Sequence, residues 1–182
     1  LWHDGIDFDA RDVVGLLSIG QSTKDRGQIG YFGVGFKSVY EVCERPQIYS
    51  GLFSFEIADV SIPRRLSERP RGWSREGTLL VLPLRRGRDR AFADSLHERA
   101  LQIPPETLLT MPNLRELCIK RGQQQRTVVA RADHENRRVV LDHVEERTSR
   151  SFLVETRIAS YEAERASSRT DETPILVAIE LD

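Results

Sequence analysis

Hydrophobic and polar positions change period several times in the first half of this chain and settle into strand-like alternation in the second. After a turn at Asp4-Gly5, Asp9 stands before Val13, Val14, Leu16 and Leu17. Asp12 follows three residues on, the pattern of a capped amphipathic helix. Residues 19–28 are polar, glycine-containing and aperiodic, which predicts a loop. Phe36, Val39, Tyr40 and Cys43 then recur at the spacing of one helical face, so a second helix is predicted from near Gly35, ending before Pro46. Period two follows. Residues 47–50 and 52–58 predict a hairpin turned at Ser50-Gly51, with Phe53, Phe55 and Ile57 on one face. Residues 77–84 are nearly all apolar and predict a central strand. Phe92, Leu96 and Ala100 mark a helix over 89–103, stopped by Pro104-Pro105, and a short Leu-rich helix is predicted over 106–111. Further strands, mainly antiparallel and joined by polar turns, are predicted over 114–120, 126–132, 138–143, 151–158 and 175–181.

Composition narrows the classes. With 39% hydrophobic residues, 182 residues suffice for one core with a small added layer. A formal charge of -1 gives no overall attraction to nucleic acid or anionic lipid. Locally, nine arginines fall between Arg64 and Arg90, which read either as a solvated loop face or as a patch meeting phosphate or an acidic partner. Cys43 and Cys118 are far apart in apolar settings and read as two buried thiols in a reducing compartment. The four histidines are scattered, and no stretch has the length of a transmembrane span or the form of a signal peptide, so a cytoplasmic location is expected. Leu1 is not an initiator Met, and the chain ends in a predicted strand; both termini read as cut from something longer.

The chemistry concentrates at Gly27, Gly30, Gly33 and Gly35, four glycines leading into an amphipathic helix. Such a turn gathers free N–H groups around one point, as phosphates require, although a tight structural crossover would use the same residues. Gly30 and Gly35 have the Walker A spacing, yet Phe36 intervenes before Lys37-Ser38 and turns the lysine by about 100° around the helix. The dinucleotide fingerprint fails as well, since no third glycine follows Gly33-Val34-Gly35 at the required place.

Three segments in order, Asp4-Gly5-Ile6-Asp7-Phe8, residues 18–24 (SIGQSTK) and residues 30–40 (GYFGVGFKSVY), resemble the motifs of the GHKL ATPases. That class holds Hsp90-type chaperones, MutL-type proteins, type II topoisomerase ATPase subunits and histidine kinases, and the details are most similar to its sacsin-like branch. The resemblance covers residues 1–84. It implies an α+β fold, a two-layer α/β sandwich of the Bergerat type with a mixed sheet, truncated at its N-terminus and followed over residues 85–182 by a smaller β-rich segment that completes the domain or starts the next. It implies that Asp4 accepts from the adenine amine, that Gly5 lets the base approach the backbone, and that Thr78 shares a water with Asp4. Gly30, Gly33, Val34, Gly35 and Phe36 would supply the turn around the phosphates, the Phe36 ring itself reading as core, and Lys24 and Lys37 are the candidate phosphate cations. Asp7 departs from the pattern, standing where a second glycine is usual. ATP and Mg²⁺ are the implied cofactors. The general-base glutamate and Mg²⁺-binding asparagine belong to a helix that would precede Leu1, so no catalytic or metal residue is assigned in this chain and the chain itself is expected to hydrolyse ATP poorly. The implied function is ATP binding within an ATP-driven conformational module, with protein clients or downstream domains as partners. A non-hydrolysing nucleotide sensor and a degenerate interaction scaffold are the alternatives. Glu145-Glu146 and Asp133-His134-Glu135 invite acid–base or metal readings but read as solvated turn charges.

Overall fold

The computed structural model describes residues 1–18, 35–74, 76–111, 113–161 and 171–181, with backbone alone for 156–161 and 171–175. The chain divides into two compact units, Leu1–Asp89 and Arg90–Asp182.

In the first unit five antiparallel strands lie in the order β1-β5-β2-β3-β4, where β1 is Trp2–His3, β2 Gln47–Ser50, β3 Phe53–Ala58, β4 Ile62–Arg65 and β5 Thr78–Val81. Helix α1, Ala10–Leu17, begins where the sequence places it. Asp9 accepts from the amides of Arg11 and Asp12, and Asp12 accepts in return from the Asp9 amide, a complete capping box. Those bonds, led by the Asp12 amide, hold the Asp9 carboxyl below its ordinary range. One sheet face carries Ile48, Phe55 and Ile57, all buried, against which Phe8, Val13, Leu16, Leu17, Phe36 and Tyr40 pack. Each such aliphatic side chain removed from water contributes roughly 1.5–3 kcal/mol. The opposite face carries Tyr49, whose ring meets Trp73 at 5.9 Å, while the Arg69 guanidinium lies 5.6 Å over Trp73 and donates to the Gly51 carbonyl. Part of the arginine-rich loop is therefore packed against the sheet.

In the second unit the order is β10-β9-β8-β7-β6, again antiparallel, with β6 Glu116–Arg121, β7 Gln124–Asp133, β8 Arg138–His143, β9 Thr148–Tyr161 and β10 Asp171–Leu181. Helix α2, Arg90–Leu101, precedes a 3₁₀ helix, Pro105–Thr110, whose Leu108 and Leu109 join Val128, Leu141 and Phe152 in the buried cluster. Arg150 ties this layer together, bonding both carboxylate oxygens of Glu180 and one of Glu106. Those pairings raise the Arg150 pKa further above its ordinary value and hold the Glu180 carboxyl below its own.

The expected α/β sandwich with a mixed sheet is thus corrected to a mostly antiparallel β protein. Parallel neighbours need a crossover of about a dozen residues, usually helical. Here α2 and the Pro105–Thr110 3₁₀ helix connect β5 to β6, which belong to different sheets, while β2 and β3, and β6 and β7, are joined by tight turns at Gly51 and Gly122. The helix predicted near Gly35 is a 3₁₀ helix, Gly35–Glu41, in which the Ser38 hydroxyl donates back to the Gly35 carbonyl. A glycine, a serine and β-branched Val39 within it all weaken the α form. The strand over 77–84 shortens to β5 and lies next to the edge. Cys43 is buried as expected, but Cys118 is exposed, because it falls on the outward side of β6. Among the described residues no helix is long and apolar enough to cross a membrane, which leaves strands aside.

Candidate functional site

The Asp4 loop leaves the sheet at its β1 edge. Trp2 pairs with Leu79 and His3 with Thr78, and Leu1 and Leu80 exchange backbone bonds beyond them (2.9 and 2.7 Å). Gly77 approaches this edge so closely that an added Cβ would lie 2.0 Å from the His3 carbonyl oxygen and 2.9 Å from Asp4 Cα. The Asp4 backbone, its side chain exposed, therefore stands against Gly77, while His3 pairs with Thr78, two residues that lie more than seventy positions away in sequence. The Gly5 amide donates to His3 Nδ1 at 3.2 Å, turning the chain away from the strand.

The far end of the loop is held by the β2–β3 turn. The Phe8 amide donates to Ser50 Oγ at 2.8 Å, and the Asp7 carboxylate lies over Gly51, where an added Cβ would meet Asp7 Oδ2 at 2.9 Å. Gly51 has φ of 51°, the left-handed region that a turn of this type requires. Asp7, the departure from the family pattern, thus has a place of its own in this loop. Ser50 Oγ is 2.6 Å from Thr78 Oγ1, and both residues are fully buried. His3, Thr78 and Ser50 form one row across β1, β5 and β2. Sequence reasoning missed Ser50; the signal was a hydroxyl two residues after Ile48, on the inward side of a strand.

The phosphate-side residues are placed differently. Lys24, Gly30, Gly33 and Val34 lie outside the described residues. Gly35 opens the 3₁₀ helix, exposed, with open space where a Cβ would be. Phe36 packs on the core and meets Tyr40 edge-to-face at 6.5 Å. The Lys37 ammonium donates to the carbonyls of Leu16 (2.8 Å) and Val60 (2.9 Å) and lies 5.9 Å from the Tyr40 ring centre. Burial lowers its pKa. Lys37 joins the end of α1 to the β3–β4 turn, so its donors are engaged by carbonyls. Among the described residues no three His, Cys, Asp or Glu side chains cluster to hold a metal.

The second unit contains a hollow of about 540 Å³ lined by Leu109, Leu114, Ala130, Val139 and Val154 together with Arg115, Asp133 and Arg137. The Asp133 carboxylate is engaged by Asn136, and Glu145 accepts from the Thr127 amide and hydroxyl. Both acidic turns close local structure.

Comparison with known proteins adds one likeness. A 56-residue stretch of the chain is 43% identical to Protein NO VEIN of Arabidopsis thaliana. The match takes in 30% of this chain and about 2% of the length of that protein. No family model matches the chain, and no solved structure matches it.

Proposed function

We propose that the Asp4 loop receives the base of an adenine nucleotide, ATP, as part of a nucleotide-driven conformational module in a longer protein. The observation that carries this reading is the placement of the Asp4 backbone, with its exposed side chain, against Gly77 at the start of the strand that carries Thr78. A carboxylate only accepts hydrogen bonds, which suits the exocyclic amine of adenine. Ile6, 94% exposed two residues from Asp4, offers an apolar face on which a base can lie. The glycine-rich segment ending at Gly35 would face the phosphates, with the magnesium ion held by residues other than those described. Free thiols at Cys43 and Cys118 suit the cytoplasm, and protein clients or further domains of the same chain are the partners of such a module.

A scaffold reading is favoured by a different observation. Leu1, Trp2 and Leu52 are also exposed, at 78%, 56% and 95%, in the same unit. A calorimetric ATP titration, with and without Mg²⁺, separates the two when run beside Asp4→Asn. Binding by the wild-type chain that weakens about tenfold or more in the variant, roughly 1.4 kcal/mol, supports the nucleotide site. A folded wild-type chain that takes up no ATP would leave the loop as architecture and the scaffold as the function.

A further inference from the structure

The hollow of the second unit has its origin in two small residues. Val128, Ala130 and Ala132 alternate onto one face of β7, and only the first is large. Val128 is buried with Leu108 and Leu109 of the 3₁₀ helix, whereas Ala130 is half-buried and Ala132 exposed. Their cross-strand neighbours on β8 are Leu141 and Val139. A space of about 540 Å³ therefore stays open between the two alanines and the chain that leaves the 3₁₀ helix through Met111 and Leu114. Ligand pockets usually measure roughly 300–1,000 Å³ and have mainly apolar walls.

Charge at this hollow is one-sided. Three arginines line it, Arg115, Arg137 and Arg138, against a single carboxylate, that of Asp133. Both Asp133 oxygens accept from Asn136, and Arg138 donates to Ser151 Oγ at 2.9 Å. Among the described residues the guanidinium groups of Arg115 and Arg137 form no ion pair. The Ala130 amide donates to the Arg115 carbonyl (2.7 Å) and the Val154 amide to the Arg137 carbonyl (2.8 Å), so both arginines are fixed beside apolar lining residues. The floor has no backbone to offer a peptide. β7 pairs with β6 and β8, and β8 with β7 and β9, which commits their amides and carbonyls to ladders. Recognition here has to come from apolar contact and from an anionic group.

We infer that this hollow binds a small amphipathic carboxylate, an aliphatic acid whose hydrocarbon body lies over Ala130 and Ala132 and whose head meets the Arg115 and Arg137 rim. The inference goes beyond the nucleotide reading, which concerns the other unit, and does not depend on it. A guanidinium fork matches a carboxylate in geometry as well as in charge. Affinity should rise with the length of the acid, since each added methylene leaves water for an apolar wall.

The test is calorimetric titration of the full chain with decanoate and, separately, with decanol, which has the same body and no charge. Decanoate should bind about tenfold more tightly, the effect expected of one charge-assisted contact. The double variant Arg115→Met/Arg137→Met keeps the apolar stems and should lose that preference while holding decanol affinity within about twofold. Ala130→Leu fills the hollow and should abolish binding of both probes. Ala132→Leu, at the exposed end, should do the same, so the test survives if Ala130→Leu does not fold. A wild-type chain that takes up neither probe, or both equally, overturns the inference. So does a folded double variant that keeps the preference for decanoate. A folded alanine variant that binds decanoate as the wild type does would put the acid on another surface and overturn it as well.

Discussion

At Gly77 the backbone has φ of 67°, and an added Cβ would press on the His3 carbonyl at 2.0 Å. The clash is with backbone paired across β1 and β5, which cannot swing aside as a side chain would. Gly35 is the opposite case, exposed at the start of a 3₁₀ helix with nothing within 4 Å of the same position. Gly77→Ala is therefore expected to lower the unfolding free energy by more than about 1 kcal/mol, since strain at positive φ adds to the overlap. Gly35→Ala should leave it unchanged or raise it by about 0.5 kcal/mol. Both tryptophans, Trp2 and Trp73, lie in the first unit, so urea denaturation followed by their fluorescence reads that unit selectively. Should Gly35→Ala also weaken ATP binding in a chain of undiminished stability, close approach of a phosphate to that backbone would be the cause. Unchanged stability in Gly77→Ala would refute the close contact between Gly77 and the Asp4 loop.

At the scale of elements, Lys37 does a job that its sequence position conceals. It sits in a glycine-rich helix start, where phosphate binding is the natural expectation, but its ammonium bridges the Leu16 carbonyl at the end of α1 and the Val60 carbonyl in the β3–β4 turn. A cation at a helix C-terminus meets the negative end of the helix dipole, and charge-assisted bonds are stronger than neutral ones. Lys37→Met keeps the aliphatic stem and removes the charge. It should cost about 1–2 kcal/mol of unfolding free energy by the same fluorescence measurement and leave ATP affinity within about twofold. The reverse pattern, stability kept and affinity lost, would return Lys37 to the phosphates. The elements themselves were legible where alternation was strict: β2 and β8 appear as the sequence predicts, because Ile48 with Ser50 and Val139 with Leu141 point one way along a pleated strand. Strand β4 was not legible, since Ile62-Pro-Arg-Arg65 reads as the start of the arginine-rich loop and all four residues are exposed. Antiparallel direction was legible for the 47–50/52–58 hairpin and for the strands of residues 85–182, but which distant strands meet in the first sheet was not. Residue patterns fix which side chains point inward, but antiparallel and mixed sheets differ only in which strands meet. The placement of the Asp4 backbone against Gly77, next to Thr78, depends on that same long-range pairing, and the motif order in the chain indicated only that these residues were present. Ser50 needed the pairing too, because a serine before a glycine reads first as a turn residue.

The two units differ in how much they bury. The first has Ile48, Phe55 and Ile57 as its buried cluster and a helix α1 with no buried residue; Leu1, Trp2, Ile6, Val14, Leu52, Val60, Ile62 and Leu84 are exposed in it. The second has a five-residue buried cluster spanning three strands and a 3₁₀ helix. Each cluster is closed within its own unit, so the stability of one should not depend on the packing of the other. Leu141, with no exposed surface, lies in the second cluster and shares no buried cluster with the Asp4 loop. Leu141→Ala should lower the stability of the second unit by about 2–5 kcal/mol, the range for a buried leucine replaced by a cavity. Far-UV circular dichroism, which senses both sheets, should then show a transition at lower urea, while tryptophan fluorescence and ATP affinity stay at their wild-type values. Ile48→Ala should do the opposite, shifting the fluorescence transition and weakening ATP binding, because Ile48 sits two residues from Ser50 on the same strand face. If instead Leu141→Ala moves the fluorescence transition in step with the dichroism, the two sheets unfold as one cooperative body.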